Sequence, residues 1–195
     1  MKITLAEPHT LEQHIQKSRF IAKAAPVESP ESALAFLRGV SEPAASHNCW
    51  AYQIGLHYRF SDDGEPGGTA GQPILRAIQA QGLDQVMVVV TRYFGGIKLG
   101  AGGLVRAYGG IAAQCLRAAP KREIVPLVRL QLEAPFELAG QVYGLLERWK
   151  LARASETYSQ AGLVVEIVIE EARLEEFRRA IVDGTRGRSI LRRVS

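Results

Sequence analysis

The chain has 195 residues, 47% hydrophobic and 23% charged, a balance that supports a packed core and excludes a disordered polymer. A net charge of +4 and a pI near 9.2 lean modestly toward polyanionic partners. Two cysteines fit a reducing compartment, and the longest strongly apolar run, Val86 to Val90, is far too short to span a bilayer; with no apolar run behind the lysine of MKITLAEPHT, a soluble cytoplasmic chain without signal peptide or membrane partner is expected.

Ile3 and Leu5 alternate with polar neighbours and predict a short strand, and Arg19 to Val27 predicts a second. Pro30 with Glu31 in the first turn opens a helix that runs to about Val40, with Ala33, Leu34, Leu37 and Val40 at helical spacing. Trp50 to Leu56 reads as a strand and Ser61 to Gly71 as a long turn. Pro73 to Gln81 predicts a short helix. Gln85 to Thr91 is the strongest strand, a continuous and mostly β-branched apolar run of the kind covered on both faces. The helix from Ala101 to Ala119 carries an apolar stripe (Leu104, Tyr108, Ile111, Cys115) and a small, basic one (Gly102, Arg106, Gly109, Ala113, Arg117).

Composition changes between Pro120 and Pro126, which predicts two domains, residues 1–122 and 126–195. The remainder reads strand (127–134), helix (136–149), strand (153–159), strand (163–170), helix (174–183) and strand (188–194). That βαββαβ order is ferredoxin-like. Residues 1–125 hold 13 Lys and Arg against 10 Asp and Glu, and residues 126–195 hold 11 against 10.

The stretch TRYFGGIKLGAGGLVRAYGG, Thr91 to Gly110, organises the first domain. Gly95, Gly96, Gly100, Gly102 and Gly103 let the backbone take positive φ or approach a surface closely. Where such a loop opens a helix, free N–H groups and the helix dipole favour an anion. Arg92, Lys98 and Arg106 add positive charge, and no Asp or Glu occurs from Gln85 to Pro120. These residues are the candidate phosphate or nucleic-acid contacts. Aromatics Tyr93, Phe94 and Tyr108 flank them, a mixture suited to single-stranded RNA; Tyr108 is expected in the core, and Phe94 is assigned to neither role. Asp62, Asp63 and Glu65 form either a metal or acid/base cluster or a polar turn that pairs with Arg92 or Arg106. His47 and Cys49 share a strand face but lack the ligands of a structural zinc site, so both read as structural, or His47 as a hydrogen-bonding group beside the Gly-rich loop. The segment fails the Walker A pattern, because Gly100 is followed by Ala101 and Gly102, and fails GxGxxG, because Val105 stands at the third glycine.

Three motifs, SHNCWAY (Ser46 to Tyr52), SDDGEPGGTAGQPIL (Ser61 to Leu75) and TRYFGGIKLGAGGLVRAY (Thr91 to Tyr108), closely resemble the Impact / YigZ family in order and separation. One departure is Gln72, where several bacterial relatives carry lysine. The resemblance implies an α+β protein of two domains: a first domain like a ribosomal-protein fold and domain IV of elongation factor G, and a ferredoxin-like second domain. It brings no established enzymatic activity. Eukaryotic Impact regulates translation by binding a protein activator of a kinase, and RNA or ribosome binding is inferred for bacterial members. The Gly-rich loop also resembles, more loosely, that of the GHMP small-molecule kinases. The expected function is therefore non-catalytic and translation-associated, with RNA or the ribosome bound at the Gly-rich loop and no catalytic residue, cofactor or metal assigned. An enzyme acting on a small phosphorylated molecule in the same loop, and a protein–protein regulator of translation, are the alternatives.

Overall fold

A computed structural model describes residues 2–194. Its elements in chain order are β1 (Ile3–Leu5), β2 (His9–Ile15), β3 (Ser18–Pro26), α1 (Pro30–Val40), β4 (His47–Ile54), β5 (His57–Ser61), α2 (Gly71–Ala80), β6 (Val86–Tyr93), α3 (Gly100–Ala118), β7 (Lys121–Glu123), β8 (Leu127–Ala134), α4 (Ala139–Arg148), β9 (Arg153–Ser159), β10 (Gly162–Glu170), α5 (Leu174–Thr185) and β11 (Ile190–Arg193). Single 3-10 turns lead into α4 and α5. The chain divides into two α+β units, Met1–Ile124 and Val125–Ser195. No helix among the described residues is long and apolar enough to cross a membrane.

The first unit holds a five-stranded antiparallel sheet in the order β2-β3-β6-β4-β5, with β1 and β7 paired separately. Strand alternation decides what each face covers. Val86, Val88 and Val90 of β6 point into the cluster built with α2 and α3, and Met87 and Val89 point into the cluster built with α1. The continuous apolar run of β6 follows directly: it is the middle strand, and both faces are covered. Ser29 caps α1 through a reciprocal pair with Ser32, ahead of Pro30. The apolar stripe of α3 is buried, and within the small stripe Gly109 serves a helix contact, since a Cβ there would lie 3.4 Å from Pro73 of α2, while Gly102, Arg106 and Arg117 are exposed.

Three strands lie outside the expected set: β2, β5 and the short β7, which pairs with β1. β2 and β5 are the sheet's edges. His9–Ile15 alternates half-buried and exposed positions, and His57–Ser61 is almost wholly exposed. Their polar composition reflects an edge that buries one face at most.

In the second unit, helices α4 and α5 bury Val142, Leu145, Leu146, Leu174, Phe177 and Ile181 against β8 and β10. The antiparallel sheet order β11-β8-β10-β9 is that of a ferredoxin-like fold. Gly162 is required where β10 begins: a Cβ there would stand 2.0 Å from the Ala134 carbonyl oxygen, at φ +147.

Candidate functional site

The candidate site lies in the first unit, at the end of β6 where the strand leaves the core. Alternation carries on past Val90, so Arg92 points to the same face as Val86, Val88 and Val90, beneath α3. In register it is flanked by Phe20 of β3 and His47 of β4. A guanidinium placed there leaves water, and only 5% of Arg92 is exposed. Burial of that kind demands a partner. Glu65 supplies it: Arg92 Nη1 donates to Glu65 Oε1 at 2.6 Å, and both side chains are almost fully buried. Tyr108 of α3 donates its hydroxyl to the same oxygen at 2.8 Å. Arg92 Nη2 reaches Ser18 Oγ at 3.3 Å, and the guanidinium lies over the rings of Phe20 and Phe94. Arg92 Nε, also buried, has no hydrogen-bond partner.

The loop that delivers Glu65 is built by the neighbouring acids. Asp62 accepts N–H donations from Gly68, Ala70 and Gly71 at 2.8–3.0 Å, which caps the start of α2 from a distance. Burial alone would raise its carboxyl, but the three donors outweigh that and hold it below the usual carboxylate range. Asp63 accepts the Asn48 N–H, and its carbonyl faces His47 Nδ1 at 2.7 Å. A carbonyl can only accept, so Nδ1 carries a proton, and Nε2 lies 3.8 Å from Glu65 Oε1. The three acids thus divide between loop construction and one buried ion pair. Cys49 is buried with its thiol on the Asp62 carbonyl, and burial pushes it up to about 12. Burial, with Cys49 and Glu65 nearby, also raises the Tyr108 phenol.

Replacing Asp62 with alanine should cost about 1.5–3 kcal/mol, the range for hydrogen bonds to a charged group. A carboxyl held below its unfolded value contributes stability that is fully present above about pH 3.9. That contribution disappears as pH falls through the lower folded value. Urea unfolding of both proteins against pH should therefore show a gap that closes below about pH 4; a gap constant down to pH 2 would mean the loop does not depend on the carboxylate.

The Gly-rich loop does several different things. Gly95 lies against the β2–β3 turn, where a Cβ would stand 1.9 Å from the Lys17 carbonyl oxygen. Its N–H donates to Ser18 Oγ. Gly96 and Gly100 take φ of +88 and +72, so their freedom is conformational. Gly102 is exposed in the first turn of α3, and a Cβ on Gly103 would press on Leu99 at 3.0 Å. α3 begins after Leu99 with no side-chain cap and no acid in its first turn, so its leading N–H groups keep their capacity for an outside acceptor.

That helix start opens on a cleft of about 580 Å³ whose walls include His47, Glu65, Arg92, Phe94, Lys98 and Gly100. Lys98 is exposed and Phe94 is 48% exposed. Tyr108 is entirely in the core. Arg106 is also exposed but borders a separate depression with Gln16 and Gly103. Among the described residues neither Lys98 nor Arg106 has a carboxylate partner. The three cations expected to act together are therefore separated: Arg92 inside, Lys98 at the cleft and Arg106 beyond it. Sequence reasoning gave no role to Ser18 and Ser46, whose hydroxyls accept from Gly95 and Phe94 and tie the loop to the sheet; Ser46 opens the SHNCWAY motif, and nothing local marks Ser18.

Residues 16–116 match the Impact N-terminal domain. The chain is 58% identical over 149 residues to an IMPACT family member encoded in the pol 5′ region of Thermus thermophilus, covering 76% of this chain and 82% of that protein. It is 36% identical over 189 residues to the IMPACT family member YigZ of Escherichia coli K12, covering 93% and 92% of the two chains. A crystal structure of a hypothetical protein superposes with a TM-score of 0.82 at 35% identity, covering 100% of this chain and 97% of that one.

Proposed function

The chain belongs to the Impact family, and on that premise we propose that it is a non-catalytic, translation-associated protein that binds RNA or the ribosome through its Gly-rich loop. The observation that carries this reading is the start of α3: a 19-residue helix with no cap and no acid in its first turn, opening beside the exposed Lys98. Such a helix end favours phosphate. Arg106 extends the positive surface, and the exposed ring of Phe94 offers a stacking face. Cys49 and Tyr108 are buried behind the cleft and hydrogen-bonded to the Asp62 carbonyl and to Glu65.

The test is co-sedimentation with ribosomes at low and high salt, with and without nuclease, using the parent protein and the Lys98→Ala/Arg106→Ala variant. Salt-sensitive association is expected. On single-stranded RNA each lost phosphate contact should flatten the log–log salt slope by about 0.7. Equal binding and slope for the double variant would remove the Gly-rich loop as the contact. Absence of any association would favour a protein partner.

A further inference from the structure

The cleft at the start of α3 offers more than positive charge. Arg92 holds one donor, Nε, that no protein group accepts, although the side chain is buried. A buried donor without an acceptor is uncommon and calls for a specific explanation. Glu65 is lopsided in the complementary sense: Arg92, Tyr108 and His47 all approach Oε1, and among the described residues no donor is recorded for Oε2. Beside that pair the cleft presents two kinds of donor, the α3 N–H groups and Lys98, with one spare acceptor and one aromatic face.

We infer that this cleft takes the 5′-phosphate of a nucleoside unit, either a free mononucleotide or the 5′ end of an RNA chain, with the phosphate over the first turn of α3 and the base over Phe94. This rests on the anion-facing loop of the preceding reading and assigns its ligand. Charge favours a single phosphomonoester. Arg92 and Glu65 cancel as a pair, which leaves Lys98 and the helix start, worth roughly half a positive charge. That matches a group carrying about −1.5 to −2 at neutral pH and would leave a triphosphate undercompensated. Oxygen count points the same way. A terminal phosphate offers three oxygens to the α3 N–H groups and Lys98, whereas a phosphodiester inside a chain offers two. The volume, about 580 Å³, lies within the range of small-ligand pockets, roughly 300–1,000 Å³. The Arg92 guanidinium sits 5.4 Å from the Phe94 ring centroid, and a base would add to the exposed part of that ring. Glu65 Oε2 is then an acceptor for a sugar hydroxyl.

The test uses the full chain with two single-stranded RNAs of one sequence, one 5′-phosphorylated and one 5′-hydroxyl, followed by fluorescence anisotropy. Thermal shifts with adenosine 5′-monophosphate, adenosine and inorganic phosphate form the second arm. Arg92 variants are avoided because they break a buried pair. Ala101→Glu is used instead: it places a carboxylate in the first turn of α3 at an exposed position of the cleft, where negative charge stabilises a helix. A melting temperature at or above the parent's verifies its fold. A preference for the 5′-phosphorylated RNA of about tenfold or more, abolished by Ala101→Glu, is the expected result. A stabilising effect of the mononucleotide alone, with neither RNA bound, would uphold the cleft's ligand and overturn the RNA reading. Equal, salt-sensitive binding of both RNAs would do the reverse. Silence of every probe would overturn both.

Discussion

Glu65→Ala is expected to destabilise the first unit by about 3–5 kcal/mol, the cost of removing one partner from a buried ion pair. The carboxylate and guanidinium are 4% and 6% exposed, so water cannot replace the lost partner. Tyr108 would lose its acceptor in the same step. The asymmetry of buried pairs gives a second expectation: Glu65→Leu combined with Arg92→Met should recover much of the loss, because it removes both desolvated charges together. Denaturation in urea checks this, with Trp50 reporting on the first unit in a Trp149→Phe background. A Glu65→Ala loss below about 1 kcal/mol, as for a surface pair, would show that Arg92 is solvated after all.

Gly95→Ala should cost about 3 kcal/mol or more, beyond ordinary overpacking, because the clash is with backbone rather than with a side chain that can move. The added carbon would stand 1.9 Å from the Lys17 carbonyl oxygen, so the loop or the β2–β3 turn must be displaced. Gly110→Ala supplies the contrast. It lies inside α3 with nothing within 4 Å of its would-be Cβ, and should gain about 0.5–1 kcal/mol from helix propensity. Two glycines of one sequence run are thus expected to respond with opposite sign. Thermal unfolding of the two variants separates them, and a tolerated Gly95→Ala would mean that the loop does not rest on the turn. The same contact matters for binding, because residues 94–98 are aimed from that anchored point.

Much of this was legible where a local pattern carries the information. β8 and β10 follow from apolar runs such as LVVEIVI, whose alternate residues pack against the helices, whereas β9 is exposed along its whole length. α1 follows from Ser29, Pro30 and its apolar spacing. β2 and β5 were missed because an edge strand buries too little to enforce an apolar pattern. The site was legible as a neighbourhood and not as an arrangement. The Gly-rich segment and the acids were found, yet Arg92 was grouped with the surface cations. The alternation Val86, Val88, Val90 extended by two residues already points Arg92 into the core. A pairing of the three acids with Arg92 or Arg106 is among the sequence readings, but which acid takes Arg92, 27 residues away, has no local signature.

The pairing of β1 has a consequence for the order of events during synthesis. Ile3–Leu5 pairs with Lys121–Glu123, and the same strand is tied to residues 83–85 by the Asp84 N–H on the Ile3 carbonyl and the Thr4 hydroxyl on the Gln85 carbonyl. The segment that leaves the ribosome early must therefore wait for partners translated much later, and the entropy of closing so long a loop falls on the final stage of assembly. Leu5, completely buried in the finished unit, is thus covered only when residues far along the chain are in place.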